Sequence, residues 1–373
     1  MTTLFFYGTL RHLPLLEIVL GRRVDPGDVT PATLPRHAAR GVAEGPFPTL
    51  IVEEGSRARG LRVQNLTEQD IARLDFYEGG FDYDLVDVTL TGGLGARVYV
   101  SPPGIWTPTD PWDLDDWVAR WAEMSCHAAR EVMGYFGQRD RAQIAARFGQ
   151  IRTRAWSKVL AGAQAPRQGT LKGRVDVADS RRPYLGFFGV EEADLRHSLF
   201  GGGMSAQVER SWLVGADAAI VLPYDPARDR VMVVEQMRVG PLGRGDAELW
   251  QLEPIAGRID PGETPQEAAH REAQEEAGLS LRALEPVAEC YASPGTTTDF
   301  FHIFVGLADL PDDATGIGGH LAEQEDIRSH IMGFPDFLAM AERRATANAP
   351  LTLLAYWLAH HRTRLRSAQG VAR

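Results

Sequence analysis

The chain has 373 residues, of which 44% are hydrophobic, and this length suits two domains that each bury a substantial core. Its net charge of −11 argues against a nucleic-acid partner, because a phosphate backbone binds basic surfaces. The two cysteines, Cys126 and Cys290, lack metal-ligand spacing; they exclude a disulfide framework and indicate a reducing, cytoplasmic location.

The segment 1–105 has the pattern of a small β-rich domain, with short strands divided by glycine and proline. The predicted strands lie at about 4–7, 48–52, 60–63, 85–90 and 97–100. A helix is predicted at about 67–74. The opening apolar run has no charged n-region and breaks at Gly8, so no signal peptide is expected. No stretch of the sequence is long and apolar enough to predict a membrane span.

The segment 106–165 changes to helical spacing and is predicted to form a helical connector. Large apolar side chains recur along it at helical intervals, which is typical of core packing. They are Trp112, Trp117, Trp121, Met124, Ala128, Val132 and Phe136. The segment 166–373 is predicted to be a second domain. It contains a strand pair at 218–223 and 231–234 and an amphipathic helix from about 350.

The run 257–279, GRIDPGETPQEAAHREAQEEAGL, carries the clearest local signals. Thr264 is a good N-cap, Glu267 completes a capping box, and Pro265 suits the first helical position. Gly278 is a natural C-terminal stop. The sequence therefore predicts a helix at 265–277.

That helix ends in the acidic side chains Glu272, Glu275 and Glu276. Like charges at this spacing repel one another, and a helix C-terminus also disfavours anions. A hard divalent cation would remove both penalties, because Mg²⁺ binds a few carboxylates together with waters and phosphate oxygens. A solvated acidic face is the alternative interpretation.

The same run resembles the Nudix box, which it matches at every fixed position. The matching residues are Gly257, Glu263, Arg271, Glu272, Ala273, Glu275, Glu276, Gly278 and Leu279. The resemblance implies an α/β/α sandwich with a mixed sheet. It also implies Mg²⁺, with Mn²⁺ as an alternative, held against a nucleoside diphosphate by Glu272, Glu276 and the carbonyl of Ala256.

The other charged residues of the box receive roles from the same resemblance. Glu263 is expected to orient water or metal without binding the ion directly. Arg271 is expected to neutralise and orient the glutamates, including Glu275, with a plain surface ion pair as the alternative.

Flanking segments extend the resemblance to the ADP-ribose pyrophosphatases, over roughly 170–365. They are 182–205, 218–240, 291–306 and 322–332. The resemblance implies hydrolysis of ADP-ribose to AMP and ribose 5-phosphate. Pro294, fifteen residues after the box, resembles the proline that marks this branch. Glu323 is the predicted general base, with Glu325 as the next candidate.

Substrate contacts are predicted for three further side chains. Arg210 and Arg238 suit phosphate or adenine, since guanidinium groups bind phosphate in a bidentate manner. Phe187, or its neighbour Phe188, is expected to stack on the adenine, with core packing as the alternative. Members of this family exchange the region before the strand pair between two subunits, which implies a homodimer formed through the Nudix domain.

The N-terminal segment resembles the gamma-glutamylcyclotransferase-like (AIG2-like) fold, a small α/β barrel. FFYGTL places the turn Tyr7-Gly8-Thr9-Leu10 after a strand, and LDFYEGG places Glu78 before two glycines. In catalytic members such a turn donates backbone N–H groups to the substrate, and the glutamate handles a proton. Many family sequences carry Arg after the tyrosine that follows this motif, whereas here Asp84 follows Tyr83.

Three functions remain open from the sequence. The first is a metal-dependent nucleoside-diphosphate-sugar hydrolase with a cyclotransferase-like domain attached. The second is a bifunctional enzyme that also acts on a gamma-glutamyl compound through Glu78. The third is a non-catalytic nucleotide sensor, which the complete carboxylate set of the box disfavours. The two-domain arrangement also resembles bacterial proteins labelled as tellurite-resistance factors, but no residue suggests tellurium chemistry.

Overall fold

A computed structural model describes residues 1–78, 83–165, 172–319 and 324–368. The chain divides into two compact units, Met1–Ser211 and Trp212–Arg373. The predicted domain limits at 105 and 165 do not coincide with this division and stay predictions. In the described ranges no helix is both long and apolar enough to cross a membrane.

The first unit begins with a six-stranded sheet and two helices. Its strands are β1 (Thr2–Phe6), β2 (Val29–Val42), β3 (Gly45–Leu66), β4 (Asp84–Leu90), β5 (Leu94–Val100) and β6 (Pro108–Pro111). The helices are α1 (Leu13–Leu20) and α2 (Glu68–Glu78), and short 3₁₀ turns occupy Thr9–Arg11 and Pro26–Asp28. The strand order is β4-β5-β1-β3-β2-β6, with β1 and β5 parallel.

This sheet is curled and packs a core on each face. Along β1, Leu4 and Phe6 join one core while Phe5 and Tyr7 join the other, as strand alternation requires. The N–H of Thr91, after β4, donates to the carbonyl of Thr33 on β2 at 2.9 Å, which draws two separate parts of the sheet together. The barrel-like fold predicted for this segment is confirmed.

Two of the predicted strands were wrong in extent. The runs at 48–52 and 60–63 belong to one long strand, β3, and its partner β2 was not predicted. Prolines and glycines interrupt the hydrophobic pattern of both strands, although their backbones stay paired along most of their length.

The predicted helical segment consists of α3 (Leu114–Met133), α4 (Arg141–Ala145) and α5 (Phe148–Ala163). Trp117, Met124, Ala128 and Val132 of α3 are buried in the same core as Leu4 and Phe6, which confirms the core interpretation of the stripe. A three-stranded sheet follows, with β7 (Val175–Leu185), β8 (Gly189–His197) and β9 (Val208–Val214).

The second unit is an α/β/α sandwich around a mixed sheet, as predicted. Its strands are β10 (Asp217–Asp225), β11 (Arg230–Met237), β12 (Trp250–Glu253), β13 (Ile255–Arg258), β14 (Ala283–Tyr291), β15 (Phe300–Leu307), β16 (Ile317–Gly318) and β17 (Ile327–Gly333). Its helices are α6 (Val239–Arg244), α7 (Pro265–Ala277), α8 (Phe334–Glu342) and α9 (Ala349–Ala368). The long order is β14-β15-β10-β11-β17-β16, while β12 pairs with β11 and β13 with β10.

The helices lie on opposite faces of the β10 region. Ile220, Leu222 and Tyr224 share a core with α8 and α9. Helix α7 packs on β10 and β13, and its alanines Ala268, Ala269 and Ala273 are fully buried. These small side chains allow the helix to approach the sheet closely.

Candidate active sites

Helix α7 is bounded by the signals that predicted it. The Thr264 hydroxyl accepts a hydrogen bond from the Glu267 N–H at 3.2 Å, and Glu267 accepts one from the Thr264 N–H at 2.8 Å. At the other end Gly278 adopts the left-handed conformation, with φ +63°, and its N–H donates to Gln274. The helix therefore begins and ends at fixed residues, which fixes the register of its acidic side chains.

Glu276 is a buried carboxylate of this helix, and Glu272, one turn earlier, is partly buried. Glu276 is 4% exposed, and its Oε2 has no hydrogen-bond partner among the residues that the structure describes. A Cβ atom added to Gly257 would overlap the carboxylate of Glu272, so only glycine fits beneath it. Burial raises the pKa of Glu272 to about 7, and the adjacent Arg271 limits that increase. Burial raises the pKa of Glu276 to about 9, with further contributions from the negative charges of Glu272 and Glu325.

Arg271 connects the acidic residues at the edge of this pair. Its Nε and Nη2 bind Glu263 at 2.8 and 2.9 Å, while Nη1 binds Glu272 at 2.6 Å and Glu275 at 3.1 Å. Nη2 also donates to the carbonyl of Arg258 at 2.9 Å. Glu263 is partly buried, which alone would raise its pKa, but the Arg271 hydrogen bonds bring that pKa below its ordinary value. Arg271 is thus a network centre and not a plain surface ion pair.

The residues present fit a divalent cation. The backbone N–H of Ala256 donates a hydrogen bond to Glu276, and the Ala256 carbonyl points to the same edge of β13 as that N–H, as in any strand residue. A bound cation would lower the raised carboxyl pKa values and would give the buried Glu276 oxygen a partner. No three His, Cys, Asp or Glu side chains in the described ranges converge as a metal-binding group. The protein would therefore supply two carboxylates and one carbonyl, and water and substrate the remaining ligands, as is usual for Mg²⁺.

A cavity of about 310 Å³ has Ala256 and Gly257 of β13 in its wall. Arg238 lies on the same wall, and its positive charge lowers the pKa of Glu276. Arg238 makes a two-point ion pair with Glu253 at 2.8 and 2.6 Å, and Asn348 donates to the other Glu253 oxygen at 3.2 Å. The predicted arginine is thus placed beside the glutamates, whereas Glu253 and Asn348 were not predicted.

The first unit contains a second cavity, of about 130 Å³, between its curled sheet and the helices α3 and α5. The turn Tyr7-Gly8-Thr9-Leu10 and Glu78 line it together, although they are separated by 68 positions or more in sequence. Tyr83 and Phe47 contribute to the aromatic part of the wall. Burial in this cavity raises the pKa of Glu78 to about 7.

Comparison with known proteins finds a family match in each half of the chain. The NUDIX domain family matches residues 215–351, and the family "Gamma-glutamyl cyclotransferase, AIG2-like" matches residues 4–119. The ADP-ribose pyrophosphatase of Escherichia coli K12 is 37% identical over 196 residues, which cover 52% of this chain and 93% of that relative. The chain belongs to the Nudix family.

Two further relatives are similar to the same half of this Nudix protein. The ADP-ribose pyrophosphatase of Haemophilus influenzae is 36% identical over 160 residues, covering 42% of this chain and 73% of the relative. The GDP-mannose pyrophosphatase of Cronobacter sakazakii is 32% identical over 138 residues, covering 37% and 71%. The C-terminal domain is thus a Nudix pyrophosphohydrolase, a class of enzyme that requires a divalent metal.

The other predicted residues of this Nudix protein are placed as follows. Glu323 lies outside the described residues, whereas Glu325 is close enough to raise the pKa of Glu272 and Glu276. Pro294 lies in the exposed loop between β14 and β15. Arg210 lies on β9 and donates to the carbonyl of Glu209 at 2.8 Å, and Phe187 stacks edge-on against Phe188. Both belong to the first unit, and their substrate contacts remain predictions.

Proposed function

We propose that the C-terminal domain hydrolyses the diphosphate of ADP-ribose, or of a related nucleoside diphosphate sugar, to AMP and ribose 5-phosphate. The observation that carries this proposal is the pair formed by Glu272, which lies over Gly257, and the buried Glu276, whose Oε2 has no hydrogen-bond partner among the described residues. The relatives named ADP-ribose pyrophosphatase favour ADP-ribose within the class. Mg²⁺ is the proposed ion, with Mn²⁺ as an alternative, because the donors are hard oxygens.

Each residue of the site has a role that follows from its contacts. Glu272, Glu276 and the Ala256 carbonyl would hold the ion, which when bound neutralises diphosphate charge and activates a water. Arg271 fixes the orientation of Glu272 and holds Glu263 and Glu275 beside it through hydrogen bonds. Arg238 lies on the cavity wall with its ion-pair partner Glu253, and its guanidinium suits an anionic substrate.

Hydrolysis adds the oxygen of water to one phosphorus and breaks the bridging P–O bond, and a general base accepts the proton of the water. Glu323 is the proposed base and Glu325 the next candidate. The negative charge of Glu325 already acts on the carboxylates of Glu272 and Glu276, which supports assigning the base to this loop.

The test is AMP release from ADP-ribose by purified protein with Mg²⁺ or Mn²⁺, with GDP-mannose as the competing substrate. Glu276→Gln should lower kcat by at least about 100-fold, since it removes a proposed ligand of the ion. Glu342→Gln makes the same chemical change at an exposed position on α8 and should keep wild-type rates. Absence of AMP release with every nucleoside diphosphate sugar, or full activity in Glu276→Gln, would refute the proposal.

We infer a second candidate function for the N-terminal domain, the release of 5-oxoproline from a gamma-glutamyl compound. The supporting observation is the shared cavity of Glu78 and the Tyr7–Leu10 turn. With a pKa of about 7, Glu78 can accept a proton near neutrality. The first N–H groups of the 3₁₀ turn Thr9–Arg11 have no partner within that turn and suit a carbonyl oxygen.

The reaction is balanced within the substrate. The α-amine attacks the γ-carbonyl, the γ-amide bond breaks, and Glu78 transfers a proton from the amine to the departing amine. A panel of gamma-glutamyl amides and dipeptides should give 5-oxoproline with wild type and none with Glu78→Gln. A binding role without turnover is indicated if the panel gives no product but ligands still stabilise the protein.

We further propose a homodimer formed through residues 166–373 and a cytoplasmic location. The dimer is supported by apolar side chains exposed around β7, including Val175, Val177 and Phe200. The reduced state of Cys126 and Cys290 agrees with the location.

A further inference from the structure

The wall of the N-terminal cavity includes residues that follow the family-matched segment 4–119. Helix α3 contributes Met124, Ser125 and Ala128, and helix α5 contributes Phe148 and Arg152. The helical segment therefore completes this cavity, in addition to covering the sheet.

Arg152 occupies an unusual position on α5 for a charged residue. Phe148, Ile151, Arg152 and Ala155 lie three or four residues apart and so share one helical face. Ile151 and Ala155 on that face are fully buried in the core. Arg152 is half-buried at the edge of that face, and it lines the cavity together with Glu78.

The neighbouring Arg154 holds this helix in place. It is 3% exposed and binds Glu131 of α3 through Nε at 3.0 Å. That buried pair fixes α5 against α3 and so fixes the position of Arg152 on the wall of the cavity. Arg152 is not required for this pairing.

We propose that Arg152 binds the carboxylate of the ligand in this cavity and so sets its specificity for amino-acid-like compounds. The inference rests on the gamma-glutamyl chemistry proposed above, which supplies the identity of the ligand. Glu78 and Arg152 line one small cavity, and a gamma-glutamyl group carries an amine and a carboxylate on the same carbon. The amine suits the carboxylate of Glu78, and the carboxylate suits a guanidinium.

The test is isothermal titration calorimetry on the full chain with two probes that differ only in the carboxylate. The probes are L-glutamic acid γ-methylamide and N-methyl-4-aminobutanamide, and 5-oxoproline is measured in the same samples. The variants are Arg152→Gln, Arg152→Lys and the control Arg141→Gln, which changes an exposed arginine on α4. Arg152→Lys keeps the charge but not the two-point geometry, and circular dichroism checks that each variant folds.

Wild type should bind the carboxylate probe about 10- to 100-fold more tightly than its analogue, as expected for a charge-assisted pair. Arg152→Gln should bind both probes with the same weak affinity, Arg152→Lys should be intermediate, and Arg141→Gln should match wild type. Undiminished discrimination in folded Arg152→Gln would overturn the role of Arg152 while leaving the gamma-glutamyl proposal intact. If wild type neither binds nor converts either probe, the gamma-glutamyl proposal is refuted and this assignment with it.

Discussion

Arg271 and Glu276 lie on the same helix but have opposite hydrogen-bonding environments. Arg271 satisfies the charges of Glu263 and Glu275 and one oxygen of Glu272. Glu276 lies on the buried side, where its Oε2 finds no donor in the described part of the chain. A buried oxygen without a hydrogen-bond partner destabilises the fold. Such atoms are therefore rare in proteins, and those that persist are often found at functional sites. The unpartnered oxygen of Glu276 therefore supports the metal site proposed there.

Glu78 gives a prediction on pH at the residue scale. Its carboxyl should titrate near pH 7, whereas an ordinary glutamate titrates near ~4.3, because the cavity removes water from the charged form. With the folded pKa raised, the stabilising contribution of the protonated form is complete below about pH 4.3. It is lost as the pH rises through about 7.

The measurement is carbon-detected NMR of glutamate carboxyl groups, with Glu78→Gln used to assign the resonance. Activity or ligand binding that needs the charged form should rise over the same range in which this resonance shifts. A Glu78 midpoint below pH 5 would contradict the prediction.

At the scale of the element, Gly257→Ala tests how β13 supports α7. The added methyl would overlap the Glu272 carboxylate, so that side chain must leave its position. We expect metal-dependent hydrolysis to fall by about 10- to 100-fold, the range seen when the support of a metal ligand is lost.

Gly278→Ala is the matched variant at the C-terminal end of α7. Its surroundings are open, and only its positive φ is strained, at a cost of about 1 kcal/mol. It should lower the melting temperature while folded protein keeps its kcat. Equal activity in Gly257→Ala and wild type would show that Glu272 needs no fixed position. The measurements are kcat and metal affinity, compared with thermal unfolding of each variant.

The accuracy of the sequence predictions depended on whether the signals were local. The limits of α7 were predicted correctly because each signal is local. Thr264 and Glu267 act within the first turn of the helix, and Gly278 acts at its last turn. The long pairing of β2 with β3 was missed because register is set by a partner strand, and Pro35 and Gly60 hide the alternation. Arg152 was missed for the same reason, since only tertiary packing brings α5 to the cavity of Glu78. The sequence signal for Arg152 was that a charged residue interrupts the apolar stripe of α5.

At the scale of the whole molecule, one chain contains two families of domain, which match segments of different compact units. Residues 4–119 carry the cyclotransferase-like match and 215–351 the NUDIX match. Residues between these two matches also form part of the first cavity, because α3 and α5 contribute to its wall. Any division of the chain for experiments should therefore keep 120–163 with the N-terminal segment.

The exposed apolar side chains around β7 lead to a prediction about assembly. Val175 and Val177 lie on one face of the strand and are 58% and 57% exposed, and Phe200 beyond β8 is 85% exposed. A surface of this composition is unfavourable in water and is typical of an interface between subunits. We expect the protein to elute as a dimer, with twice the mass of one chain by light scattering at micromolar concentration.

The double variant Val177→Ser, Phe200→Ser should shift that mass to a single chain, because it replaces apolar contact area with hydroxyl groups that water solvates. Val52→Ser is the matched control, since Val52 is 74% exposed on β3 and should leave the dimer unchanged. A monomeric wild type, or a double variant that stays dimeric, would show that this surface does not form the dimer.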